Sequence, residues 1–159
     1  MLLSGLYFDT LVMSFFTSEF ECKLDAKGRL VLPSKLKSIL PEASSRQIVI
    51  RKGFEPNLII YTLDEYKKLH IKISSLNEFN SDQRKLKRNF FSSIIQVELD
   101  NNGRFLLPKN MLSHAKIEKE VILCGMGNVI EIWNKKLYKS YLITDSESYS
   151  ELAQKYLDD

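Results

Sequence analysis

Two stretches of the chain carry nearly the same eleven residues: positions 23–33 read Lys-Leu-Asp-Ala-Lys-Gly-Arg-Leu-Val-Leu-Pro, and positions 98–108 read Glu-Leu-Asp-Asn-Asn-Gly-Arg-Phe-Leu-Leu-Pro. Six of the eleven aligned pairs are identical, and the two pairs that follow the arginines stay hydrophobic. Such self-similarity indicates two copies of one structural unit. Two copies are too few for a solenoid, so the pattern predicts a fused dimer with an approximate twofold axis.

Each copy predicts a tight turn between two strands. An aspartate can bond to the backbone two residues on, and a glycine three positions later accepts a positive φ without strain. Apolar and β-branched residues on both sides favour strands. We therefore expect one β-hairpin pairing Glu21–Leu24 with Arg29–Leu32, and a second pairing Gln96–Leu99 with Arg104–Leu107.

Downstream of each turn the two copies predict the same elements. Pro33 and Pro108 suit the first position of short helices that reach about Leu40 and His114. The predicted strands are Gln47–Arg51, Asn57–Tyr61, Glu120–Cys124 and Val129–Trp133. The predicted longer helices are Leu63–Ser75, opened by a Thr62/Glu65 capping box; Ser81–Ser93, with Leu86 and Phe90 on its apolar side; one capped by Asn134, with Leu137, Tyr138 and Tyr141; and Ser146–Leu157, with Tyr149, Leu152 and Tyr156.

The composition is that of an ordinary globular protein. Of 159 residues, 44% are hydrophobic and 27% charged, which excludes a disordered tail, a collagen-like rod and a coiled coil. No run approaches the ~18 apolar residues of a membrane span, and the apolar start, Met1–Phe16, lacks the features of a signal peptide. Cys22 and Cys124 are too few for a disulfide framework or a zinc site. A reduced, cytoplasmic protein is expected.

The charge is unevenly distributed along the chain. The net charge of +3 is compatible with a nucleic-acid partner without requiring one. Between Asp64 and Phe91, seven basic and four acidic side chains give a net charge of +3. Between Ile143 and Asp159, one basic and five acidic side chains give a net charge of −4. We divide the chain into an N-terminal extension (1–19), a first repeat with its helices (20–94), a second repeat (95–142) and an acidic helical tail (143–159).

The doubled Asp-x-x-Gly-Arg turn, closed by Leu-Pro and followed by strands that end in Tyr61 and Trp133, resembles the MraZ family of AbrB-like (SpoVT-type) transcription regulators. The resemblance covers roughly residues 20–142. It implies an α+β fold, the double-split β-barrel of the swapped-hairpin type, built from both repeats with flanking helices. It also implies a ring-shaped homo-oligomer, bound to the nucleoid, that regulates the division and cell-wall gene cluster including its own gene.

The resemblance places DNA reading on the two turns. It implies that Arg29 and Arg104 read bases in short promoter repeats. Because an acidic side chain is repelled by phosphates, Asp25 and Asp100 are expected to brace these arginines. Gly28 and Gly103 keep the turns slim, and Lys23, Lys27 and Lys35 are expected phosphate contacts. The second turn has Asn102 in place of Lys27, so we expect it to contribute less positive charge.

Several alternatives follow from the same sequence. If only one Asp/Arg turn were present, an ion pair that closes the turn without any role in binding would explain it. The presence of two such turns, together with the family resemblance, favours DNA reading. An AbrB-like antitoxin or a protein-interaction module is the alternative function, disfavoured because antitoxins of this class usually carry one copy. The residues before the first strand are either an extension ahead of a start at Met13 or an added arm. No catalytic constellation, metal ligand set, cofactor motif or small-molecule substrate site is indicated, and no membrane partner is expected.

Overall fold

The structure is a computed structural model that describes residues 15–41 and 46–158. Its strands and helices follow the order of the two repeats. The strands are β1 (Glu19–Lys23), β2 (Arg29–Val31), β3 (Gln47–Lys52), β4 (Leu58–Thr62), β5 (Ile94–Glu98), β6 (Arg104–Leu106), β7 (Glu120–Gly125) and β8 (Val129–Asn134). The helices are α1 (Ser34–Lys37), α2 (Leu63–Ser74), α3 (Ser81–Ser92), α4 (Lys109–His114), α5 (Lys135–Ser140) and α6 (Ser146–Leu157).

The two repeats exchange their first strands. Six strands form one antiparallel sheet in the order β1-β7-β8-β4-β3-β5. Strand β1 of the first repeat therefore lies against β7 of the second, and β5 of the second lies against β3 of the first. Each repeat therefore completes its part of the sheet only with a strand of the other repeat.

The predicted hairpins are wrong in their pairing. The turn between β1 and β2 is present, but β2 pairs with β6 in a separate two-stranded ribbon, and β1 joins the large sheet. Local turn chemistry was identified correctly, but the partner of each strand depends on the apolar surface of the other repeat. The large sheet is open, since its order ends at β1 and β5 without a pairing between them in the described part of the chain.

An approximate twofold axis runs through both sheets. In the ribbon, Leu30 lies opposite its own counterpart, Phe105. In the large sheet, Ile59 of β4 lies opposite its counterpart Glu131 of β8. The predicted fused dimer is therefore present in the strand register.

The main core lies between the large sheet and the ribbon. Side chains of both repeats meet there, together with one side chain from each short helix. Its fully buried members include Leu30, Leu36, Ile48, Ile50, Leu58, Ile60, Leu99, Met111, Leu123, Ile130 and Ile132. Burying apolar surface from both repeats in one core makes the folding of each depend on the other.

The opposite face of the large sheet is covered by helices. Val49, Ile59 and Tyr61 pack against α2, while Ile122 and Trp133 pack with Tyr138 of α5. Thr62 accepts a hydrogen bond from the Glu65 amide at 3.2 Å, as a capping residue should. No helix in the described residues has the length and apolar character needed to cross a membrane.

The helices differ in detail from the sequence-based expectations. Pro33 and Pro108 are the N-cap residues of α1 and α4, one position before the expected site. Leu86 of α3 is 44% exposed, whereas Phe90 is buried. Positions 1–12, which were expected to be an extension or an arm, lie outside the described residues. Phe16 is buried and bridges to Gly127 through two backbone hydrogen bonds of 2.7 Å.

Candidate nucleic-acid interface

The two Asp-x-x-Gly-Arg turns have the same geometry. In the first, the Gly28 amide donates to the Asp25 carbonyl at 3.0 Å, and the Asp25 amide donates to the Arg29 carbonyl at 2.9 Å. The second turn repeats both bonds at 2.9 Å between Gly103, Asp100 and Arg104. Gly28 and Gly103 have φ of 83° and 74°, which favours glycine at both positions.

Each aspartate holds the arginine that follows its turn. Asp25 accepts two backbone amides, of Lys27 and Arg29, on one oxygen at 2.9 Å. Its other oxygen accepts Arg29 Nε at 2.7 Å. Asp100 makes the equivalent contact with Arg104 Nε at 2.8 Å. Because only Nε is engaged within the described chain, the two terminal nitrogens of each guanidinium remain available to a partner.

The same contacts set the ionisation of both carboxyls. Backbone hydrogen bonds from Arg29 and Arg104, followed by their side chains, hold the pKa of Asp25 and Asp100 below the usual 3.8. An aspartate with a lowered folded pKa stabilises the fold above its unfolded pKa and loses that effect as the pH falls through the folded value. The turns should therefore keep their shape at a pH where free aspartates begin to protonate.

NMR titration of the two carboxyl carbons tests this bracing. We expect midpoints below 3.8 for Asp25 and Asp100. In Arg29→Lys, the backbone bonds remain but the Nε bond is lost, so the midpoint of Asp25 should rise partway while that of Asp100 stays unchanged. Midpoints at or above the ordinary value in the wild type would contradict the bracing role.

The ribbon places both arginines on one face. Arg29 lies opposite Leu106, and Val31 lies opposite Arg104. Residues two apart on a strand, and directly opposed residues, share a face. With a rise of ~3.4 Å per residue and strands ~4.8 Å apart, the two arginine Cα atoms are roughly 8 Å apart. Leu30 and Phe105 occupy the other face and are buried.

Val31 and Leu106 complete the outward face of the ribbon. They are 50% and 53% exposed, although both are large and apolar. Their apolar character had predicted only that they form strands. Strict alternation in Arg-Leu-Val and Arg-Phe-Leu could have identified them, because the residue after each arginine points to the core and the next one points out.

Two cations from the first repeat lie at the second turn. A Cβ on Gly103 would lie 3.5 Å from Lys37 Nζ. Arg46 Nη2 donates to Asn101 Oδ1 at 2.7 Å. The second turn itself lacks the lysine of the first turn, but Lys37 and Arg46 stand beside it. The sequence did not predict that these two residues lie near this turn, because they are distant from it along the chain. The exchange of strands brings them together.

The three predicted lysines are all exposed. Lys27 is within the first turn, Lys23 ends β1, and Lys35 lies in α1. Lys23 and Lys27 therefore lie at the first turn, whereas Lys35 shares α1 with Lys37, which lies beside the second turn. The second turn is flanked by Lys37 and Arg46 of the first repeat.

The two cysteines, Cys22 and Cys124, lie in strands and pack as partly buried apolar residues. Cys22 in β1 and Cys124 in β7 each pack against a core cluster, and burial raises the pKa of both thiols. A raised pKa disfavours the reactive thiolate. Among the described residues, no group of three or more His, Cys, Asp or Glu side chains is arranged to hold a metal ion.

Comparison with known proteins agrees with this architecture. Residues 15–89 and 90–159 each match the sequence model of the MraZ protein family, which carries the description "antitoxin-like". The chain is 48% identical over 145 residues to a transcriptional regulator MraZ of Cytophaga hutchinsonii, covering 91% of this chain and 96% of the relative. It is 36% identical over 141 residues to a transcriptional regulator MraZ of Thermoanaerobacter sp., covering 89% and 95%. The chain belongs to the MraZ family.

Proposed function

We propose that this protein is a sequence-specific DNA-binding transcription regulator that represses its own promoter. The observation that supports this most directly is the ribbon, which presents two braced arginines on one exposed face. The names of its relatives also support a regulator of transcription. Catalysis is no part of the proposal.

The proposed mechanism is reading of the major groove by the ribbon. A groove about 12 Å wide admits a two-stranded β-ribbon, and arginine pairs with guanine O6 and N7 through two donors. Arg29 and Arg104 have their Nε atoms on Asp25 and Asp100, so each would use its two terminal nitrogens. Bracing lowers the entropy lost when a long side chain binds.

The remaining ribbon residues would refine this reading. Val31 and Leu106 are apolar and exposed between the arginines, and apolar side chains contact the methyl group of thymine. Lys23 and Lys27 would contact phosphates beside the first turn, and Lys35, Lys37 and Arg46 beside the second. Phosphate contacts supply affinity and position without reading sequence.

We further propose that copies assemble into a ring-shaped homo-oligomer. Helix α6 supports self-association because none of its residues is buried in the chain. Its Tyr149, Leu152 and Tyr156 are 64%, 43% and 71% exposed. Exposed apolar residues at helical spacing are typical of an interaction surface.

Membership of the family and the exchange of β1 and β5 between repeats support three related proposals. The fold would be the double-split β-barrel of the swapped-hairpin type. Its units would be residues 20–94, 95–142 and an acidic tail at 143–159, after an extension at 1–19. The targets would be short direct repeats ahead of the division and cell-wall gene cluster, reached by a cytoplasmic protein on the nucleoid.

A gel-shift titration with DNA from directly upstream of the gene tests this function. Because a ring offers several equivalent ribbons, a repeat array should bind far more tightly than one repeat, by roughly 100-fold or more through effective concentration. Changing the spacing by half a helical turn should remove most of that gain. Equal affinity for one repeat and for the array would refute the ring mechanism, and equal affinity for unrelated DNA would refute sequence-specific regulation.

A second candidate function is that of an antitoxin or protein-interaction module. The description of the family as antitoxin-like favours it, as does the uncovered apolar side of α6. An antitoxin would bind a small toxin encoded beside it through such a segment. Co-expression with the products of the neighbouring genes, followed by size-exclusion chromatography, separates the two functions.

A further inference from the structure

A cavity of about 340 Å³ lies away from the ribbon, at the junction of the two repeats. It is bounded by the turn between β3 and β4, by the last turns of α3, and by the end of α4. Its polar lining includes Arg51, Lys52, Asn89, Ser93 and His114. The lining contains no aspartate or glutamate among the described residues, so the cavity favours negative charge.

The base of the cavity is a buried guanidinium that has no acidic partner in the part of the chain that the structure describes. Arg51 is only 7% exposed. Its Nε and Nη2 donate to the Tyr61 hydroxyl at 3.1 and 2.9 Å, and its Nη1 donates to the Lys52 carbonyl at 2.9 Å. A guanidinium has five N–H donors, so two find no acceptor among the described residues. Burying a charge without a counter-charge is costly, so a bound anion would stabilise this guanidinium.

Aromatic rings surround the same guanidinium. Its Cζ lies 4.7 Å from the centroid of Phe54 and 5.4 Å from that of Phe90. Phe90 is buried, whereas Phe54 is 86% exposed. Phe54 therefore stands at the mouth of the cavity, with most of its surface open to a second flat group.

The second repeat contributes His114 to the cavity wall, but its own strands lack the equivalent side chains. His114, at the end of α4, lies 3.1 Å through Nε2 from the carbonyls of both Gly53 and Glu55. Two carbonyl acceptors require that Nε2 carries the proton. The strand register places Cys124 and Trp133 where the first repeat has Arg51 and Tyr61. Within residues 15–41 and 46–158, the buried arginine of this cavity therefore has no counterpart in the second repeat.

We propose that this cavity binds a small molecule that carries an oxyanion, a phosphate or a carboxylate, on a flat ring. The oxyanion accepts the free Arg51 donors and is flanked by Lys52, and the ring lies against Phe54. A volume of this size is within the range of small-molecule sites. The site would make the protein responsive to a metabolite.

Calorimetric titration of the full chain without DNA tests the proposal. The probes are inorganic phosphate, adenosine monophosphate, benzoate and, as the neutral control, adenosine. We expect saturable binding of adenosine monophosphate or benzoate at up to millimolar concentration, and none of adenosine. If only adenosine monophosphate binds, the ligand carries a phosphate. If only benzoate binds, the ligand carries a carboxylate. Binding of adenosine as tight as that of the nucleotide, or of no probe, would overturn the proposal.

Matched variants locate the binding. Arg51→Met should abolish it, and a thermal melt shows whether that variant folds. Lys52→Gln, at a partly exposed position, should weaken it roughly tenfold through loss of a charge-assisted contact. Phe54→Ser should weaken the binding of the nucleotide or of benzoate but leave the binding of inorganic phosphate unchanged. Lys139→Gln removes the same charge outside the cavity and should have no effect; equal weakening by Lys139→Gln and Lys52→Gln would overturn the site.

Discussion

Replacing both Arg29 and Arg104 with alanine is expected to abolish sequence-specific DNA binding while the protein stays folded. Each single substitution should cost about 1–3 kcal/mol, roughly 5- to 150-fold in affinity, because a two-donor contact to guanine is lost. Both side chains are about one-third exposed, at 29% and 31%, and outside the main core. Gel-shift titration against the upstream repeats, with circular dichroism for folding, measures both effects.

Two further variants separate reading of bases from general attraction to DNA. Arg29→Lys keeps the charge but loses the planar pair of donors, so specificity should fall while binding to unrelated DNA remains. Lys27→Ala should weaken binding to all sequences alike and reduce the salt dependence by about one unit. If Arg29→Ala behaved like Lys27→Ala, the arginine would be a phosphate contact. If the arginine variants unfolded, the turns would be structural only.

Replacing Phe105 with alanine is expected to destabilise the fold by about 3–5 kcal/mol, the usual cost of removing a buried phenylalanine. Phe105 is 2% exposed and lies at the twofold axis opposite Leu30. Its ring fills the space beneath the ribbon that belongs to both repeats, so a cavity there weakens the contact between ribbon and core. Urea unfolding followed by tryptophan fluorescence measures the loss.

A second phenylalanine provides the control for size. Phe79 is 94% exposed, and Phe79→Ala should change the unfolding free energy by less than about 0.5 kcal/mol. Because both variants remove the same ring, the difference between them measures burial. Equal effects would mean that the ribbon does not depend on Phe105 for its attachment to the core.

Much of the local structure could be predicted from the chain because its causes are local. The Thr62 cap, the Asn134 cap and the alternating strands depend on neighbours a few residues away, and all of them are present. The repeat was visible because copies of one unit keep the residues that its turn requires. The relation of Asp25 to Arg29 could also be anticipated, since both belong to one five-residue turn.

Features that depend on distant contacts could not be predicted in the same way. A strand pattern specifies which side chains point to the core but not which strand lies alongside, so the hairpin pairing was wrong. Lys37 and Arg46 reach the second turn from more than fifty positions away in sequence. Arg51, read along the chain, is one charge at the end of an apolar strand. Its burial depends on side chains from distant elements, such as Phe90 of α3, that pack around it.

The amino-acid sequence is sufficient to establish a doubled unit, its braced turns and its membership of a family of regulators, because these are properties of short segments. The exchange of strands between repeats, the shared face of Arg29 and Arg104, and the cavity at Arg51 arise from packing. They depend on free energy gained when apolar surfaces from both halves of the chain are buried together, and no short segment contains that information.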